Sequence, residues 1–141
     1  MRAVPRLPDE AAFEAFVSAH PCAVVGLLPQ FEEERSQYSA LAAILGAAFP
    51  QVTFAVADSG NPQLASLFCL AEPCALAVLR ERVVVHMETG IPSAARLSGF
   101  LRSALTLDMQ RVRAELDAER AMRAVLSAHF PRRLFRRAGQ S

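Results

Sequence analysis

No run of apolar residues in this chain approaches the ~18–20 needed to cross a bilayer, so a transmembrane helix is excluded as a reading of the sequence. The opening stretch Met1-Arg2-Ala3-Val4-Pro5-Arg6-Leu7-Pro8 carries two positive charges with no apolar segment behind them, and no signal peptide is expected. Cysteine is scarce: three in 141 residues, an odd number at no framework spacing. That argues against a disulfide-stapled domain and for a reducing, cytoplasmic setting. No two of the three form a Cys-x-x-Cys pair. There is no glycine-rich phosphate loop and no Gly-x-Ser-x-Gly turn. His20, Cys22, Cys69 and Cys74 are metal-ligand types in no zinc spacing, so neither a metal nor another cofactor is expected. His86 and His129 have no evident partner for general-base work.

What is present is a core-forming composition. At 52% hydrophobic and 21% charged residues, the chain suits one globular domain with a sizeable core. All 15 basic residues are Arg. Arg132, Arg133, Arg136 and Arg137 fall in the last eleven residues with no acid, whereas the remainder sets 11 Arg against 14 acids. A mildly acidic body with a basic tail is not the charge pattern of a nucleic-acid binder.

The periodicity predicts a helix from Asp9 to about Ala19 with Phe13, Phe16 and Val17 on its apolar face, then a buried strand Cys22–Leu28. A second helix runs from Glu32 to Ala48, with Tyr38, Leu41, Ile44, Leu45 and Ala48 at helical spacing, and Phe49-Pro50 ends it. A strand over residues 51–57 follows. Asn61-Pro62 then supplies the cap and first residue of a short helix ending near Phe68. Apolar strands at Cys74–Leu79 and Arg82–Glu88, separated by Arg80-Glu81, read as an antiparallel hairpin. A helix after Gly90-Ile91-Pro92 carries Leu97, Phe100, Leu101 and Leu105. The order is α-β-α-β-α-β-β-α: helices between the early strands imply a parallel start, and the hairpin an antiparallel edge.

Val52 to Asp58, Asn61-Pro62, Leu64-Ala65 and Phe68, with Pro73 before the hairpin and Gly90 after it, resemble the thioredoxin pattern over residues 9–105. The resemblance implies an α/β thioredoxin-like fold, a mixed sheet with helices on both faces. To it this chain adds a C-terminal helix. It divides the chain into a domain at 1–107, a helical extension at 108–130 and a basic tail at 131–141. It also implies a cis bond at Pro73, with Glu72 presenting backbone groups to an extended peptide by strand addition. The chain departs from the family where its chemistry lies. Glu32 and Arg35 occupy the two cysteine positions, and Gly26 that of the buried Asp; the loop at Asp58 is one residue longer and the stretch before Pro73 one shorter. Among cysteine-less relatives, Leu45 through Phe49-Pro50, Thr53-Phe54, Ala57-Asp58 and Gly90-Ile91 with Leu97 resemble the HyaE/HupG-type hydrogenase-expression accessory proteins, which are thought to chaperone an exported hydrogenase subunit.

The candidate binding residues are therefore Glu32, Glu33, Glu34, Arg35, Glu72, Pro73 and Cys74. The three acids read either as stabilisers of a helix start or as a patch for a basic client segment. Cys74 reads as a strand-opening apolar residue or as the thiol of a single-cysteine redox protein. No dithiol oxidoreductase activity is expected, and no nucleic-acid partner. In the extension, Met109, Val112 and Leu116 share one face, while Ala118, Met122, Val125 and Leu126 lie nearly opposite. A stripe that changes sides suggests a homodimer through Met122, Val125 and Leu126, or an oligomeric scaffold with no catalysis; a kinked or frayed helix is the alternative.

Overall fold

The computed structural model describes residues 4–67 and 74–129, leaving aside the side chains of 67 and 126–129. The chain divides into two compact units, Met1–Thr106 and Leu107–Ser141. In the first unit the elements are β1 (Arg6–Leu7), α1 (Glu10–Ala19), β2 (Cys22–Leu28), α2 (Glu32–Ala48), β3 (Thr53–Asp58), α3 (Pro62–Leu67), β4 (Ala75–Arg80), β5 (Val83–Thr89) and α4 (Ala94–Leu105). The second unit holds α5 (Met109–His129).

Among the described residues, five strands form one sheet in the order β1-β3-β2-β4-β5. β2 pairs in parallel with β3 and antiparallel with β4, and all seven of its residues are buried. A strand closed on both edges and both faces needs apolar residues on both sides, which is why Cys22–Leu28 reads as an unbroken apolar run. Its pleat sorts two cores. Val24 and Leu28 point to one face with Tyr38, Leu41 and Leu45 of α2 and Leu97 and Leu101 of α4. Ala23, Val25 and Leu27 point to the other, with Phe13, Phe16 and Val17 of α1 and Leu64 of α3. Side chains that help define helix starts behave as their types suggest: Asp9 accepts from the Ala12 N–H at 2.8 Å, and Asn61 from Gln63 at 2.9 Å and Leu64 at 3.2 Å.

Three boundaries differ from the expectation. β1 adds a strand at the sheet edge that two residues beside a proline could not announce. It pairs Arg6 with Val56 and Leu7 with Ala57, and the Val56 N–H donates to Pro5 O at 2.9 Å. The next donor of that ladder would be Pro5 itself, which has no N–H, so the pairing stops. β3 begins at Thr53 rather than 51 because the Val52 N–H folds back to Phe49 O at 3.0 Å. The hairpin turns at Glu81-Arg82, one residue later than expected, with φ of 49° and 73°. Two left-handed residues are what a two-residue turn on right-twisted strands requires, though neither residue is the glycine or asparagine that usually signals it.

On the α2 face of β2, the position after Val24 in the pleat is Gly26. The Tyr38 ring lies there: a Cβ built on Gly26 would sit 2.7 Å from Tyr38 Cε1. The fully buried Tyr38 hydroxyl is donated to backbone carbonyls, 2.8 Å from Ala55 O and 3.1 Å from Val24 O. Burial pushes the phenol far above its ordinary range, so it stays protonated as a donor. Gly26→Ala should therefore cost about 1–3 kcal/mol through overpacking. Chemical denaturation is the measurement, and an unchanged midpoint would show that the ring has room to retreat.

Candidate functional site

Helix α2 begins in an uncommon way. Its N-cap is Phe31, with an extended φ of −101° and no side-chain hydrogen bond to the free N–H groups. Phe31 is 66% exposed. Glu32, Glu33 and Glu34 fill the first turn, where carboxylates offset the positive end of the helix dipole in place of a cap. The Arg35 N–H makes the opening helical bond to Phe31 O at 3.3 Å, and Arg35 Nε donates to Pro29 O at 3.4 Å. The start of α2 thus presents an apolar ring flanked by exposed Glu32 and Glu33.

Glu34 turns the other way. It is half-buried, and its Oε2 is enclosed with no hydrogen-bond partner among the described residues. Cys74, half-buried immediately before β4, lies within its field. Burial chiefly, and the Glu34 carboxylate next, push the Cys74 thiol above its ordinary value. Cys22 is buried in β2, its thiol likewise raised by desolvation and partly offset by Arg80. Among the described residues, neither Cys22 nor Cys74 forms a disulfide. Of the expected site, the structure brings Glu34 and Cys74 together and sets Glu32, Glu33 and Arg35 on one helical turn. Glu72, Pro73 and Cys69, and with them the expected cis bond at Pro73, lie outside the described residues. Among the described residues no group of three His, Cys, Asp or Glu side chains is placed to hold a metal ion.

Sequence reasoning passed over Phe31. A large apolar residue in a position that favours Ser, Thr, Asp or Asn was the available signal. It also passed over Arg6, which with Arg35 reaches a cleft of about 850 Å³ between the β1–β3 edge and α2. A smaller recess of about 190 Å³ lies between Arg6, Arg35, Gln30 and Asp58. Asp58 is tied down at both oxygens, accepting from Gln30 Nε2 at 2.6 Å and from the Gly60 N–H at 2.8 Å. Those two bonds, with the nearby Arg35 and Arg6 charges, hold its carboxyl below the usual range.

Among solved structures, the chain is similar to thioredoxin from Trypanosoma brucei brucei, with a TM-score of 0.63 and 16% identity over 74% of this chain and 93% of that one. It is similar to a mutant thioredoxin from Halobacterium salinarum NRC-1, with a TM-score of 0.62 and 16% identity over 76% and 98%. Mitochondrial thioredoxin 3 from Saccharomyces cerevisiae, in its oxidised form, gives a TM-score of 0.62 and 13% identity over 71% and 94%. The chain has a thioredoxin-like fold. No protein-family model and no curated protein matches the sequence. Within this thioredoxin-like frame, the α2 start carries a ring and carboxylates, and the thiol that approaches it, Cys74, sits beside a carboxylate that opposes its ionisation.

Iodoacetamide should accordingly label Cys74 slowly at neutral pH, because only the thiolate reacts, and the rate should rise at higher pH than for a free thiol. Glu34→Gln removes one of the two causes and should speed labelling of Cys74 a few-fold in mildly alkaline buffer, followed by peptide mass mapping. Fast labelling of the wild type would contradict this account.

Proposed function

We propose that this chain is a redox-inactive thioredoxin-like protein that binds protein segments, an assembly or chaperone accessory factor of the hydrogenase-maturation type. The observation that carries the reading is the start of α2: an exposed Phe31, followed by exposed Glu32 and Glu33, stands at the turn where the sequence resemblance places the dithiol. An aromatic anchor beside carboxylates suits an extended client segment bearing apolar and basic residues, such as an Arg-containing export signal. The hydrogenase assignment rests on the sequence resemblance alone. The single-thiol alternative is disfavoured by the raised Cys74 thiol, since exchange needs an available thiolate.

The protein should neither reduce insulin nor exchange disulfides catalytically. An Arg-bearing hydrogenase small-subunit signal peptide should bind, by fluorescence anisotropy, with an affinity that falls as salt rises. Phe31→Ala and the pair Glu32→Lys with Glu33→Lys should each weaken it roughly tenfold or more, ~1.4 kcal/mol, with little change in melting temperature. Equal affinity in all three proteins would remove the site from the reading. Turnover abolished by Cys74→Ser would favour the single-thiol alternative.

We further propose that α5 mediates homodimerisation. Met109 is buried and Val112 and Leu116 are partly so, whereas Met122 is 60% exposed and Val125 53%. Leu126, the third expected contact, lies outside the described side chains. Covering Met122 removes an apolar side chain from water, worth about 1.5–3 kcal/mol on full burial, and a two-fold partner is the commonest cover. Met122→Glu should shift light scattering from dimer to monomer. A wild type that is monomeric at high micromolar concentration would end the proposal.

A further inference from the structure

We propose that the cleft between β1 and α2 binds an anionic amphiphile, a monocarboxylate with an unbranched apolar chain. The cleft exists for two reasons legible in the residues. α2 turns small side chains toward it, Ala42, Ala43 and Gly46, and β1 runs for only two residues because Pro5 cannot continue the ladder. The β3 side supplies Val52, Phe54 and Val56. A volume of about 850 Å³ falls among those of small-molecule sites, which are mostly apolar with a few placed polar groups.

The placed groups are Arg6 and Arg35, which line both the cleft and the smaller recess beside it. Asp58 shares that mouth, but its two oxygens are occupied by Gln30 and the Gly60 N–H. Among the described residues neither guanidinium makes an ion pair, and Arg35 uses its Nε on Pro29 O, leaving its terminal nitrogens. Two cations against one anion leave a single net positive charge at one end of an apolar cleft. That is the complement of one carboxylate on an apolar chain, and the planar forks suit its two oxygens. The site is separate from Phe31 and from Cys74, neither of which lines it.

The test is calorimetric titration of the full chain with decanoate, and with 1-decanol and decyltrimethylammonium as neutral and cationic counterparts. Decanoate should bind saturably and the cation should not. Arg6→Gln combined with Arg35→Gln should weaken decanoate at least tenfold and leave the alcohol unchanged. Gly46→Leu separates shape from charge: a Cβ at Gly46 meets nothing within 4 Å, so the longer side chain enters the cleft. It should abolish binding of both decanoate and the alcohol while keeping the melting temperature, since leucine is the better helix former. No saturable binding of decanoate, equal binding of the cation, or wild-type affinity in Gly46→Leu would each overturn the proposal.

Discussion

The Tyr38 ring rests against the bare backbone of Gly26, and its hydroxyl reaches carbonyls of two adjacent strands, β2 and β3. That contact sets how closely α2 approaches the sheet, because any side chain at position 26 would push the ring outward. It is an apolar contact that ends in a satisfied polar group, so a buried hydroxyl adds direction without leaving an unpaired donor. The pitch of α2 then places its first turn at one end of the sheet and its small-residue face over the β1–β3 edge. The same glycine stands at the position the resemblance gives to a buried acid. A phenol held protonated occupies the adjoining space.

The electrostatics of the α2 start follow from that placement. A helix N-terminus favours negative charge and would stabilise a thiolate. Here the dipole is answered by three carboxylates, and the one facing inward, Glu34, raises the thiol it approaches. At the other edge of the sheet, on the face that α2 and α4 share, a similar cluster resolves into structure. Glu88 on β5 accepts from Arg96 at 2.9 Å and lies 3.0 Å from His86 Nε2, whose ring stacks on Phe100 at 3.8 Å. Those charges are mutually paired and tie α4 to the edge strand, whereas Glu32, Glu33, Arg6 and Arg35 form no such pairs among the described residues. Unpaired charge next to exposed apolar surface distinguishes a candidate contact surface from a structural network.

Much of this was written locally. The alternating helices and apolar runs determined the element order, since a strand buried on both faces and a helix buried on one have different periods. Asp9 and Asn61 marked helix starts because their side chains reach backbone donors two or three residues away. Glu32, Glu33 and Glu34 were legible as a first turn because carboxylates offset the positive end of a helix dipole. What stayed hidden depends on contacts across the chain. The meaning of Gly26 required the ring of Tyr38, twelve residues later on another element. β1 exists through pairing with Val56 and Ala57, fifty residues away, and has no periodicity of its own. The turn at Glu81-Arg82 is imposed by strand register against residues without turn chemistry, and Arg6 and Arg35 meet across a cleft only because a short edge strand and a small-residue helix face leave space between them. Local propensity acts over one or two turns, and packing decides everything that two distant elements must share.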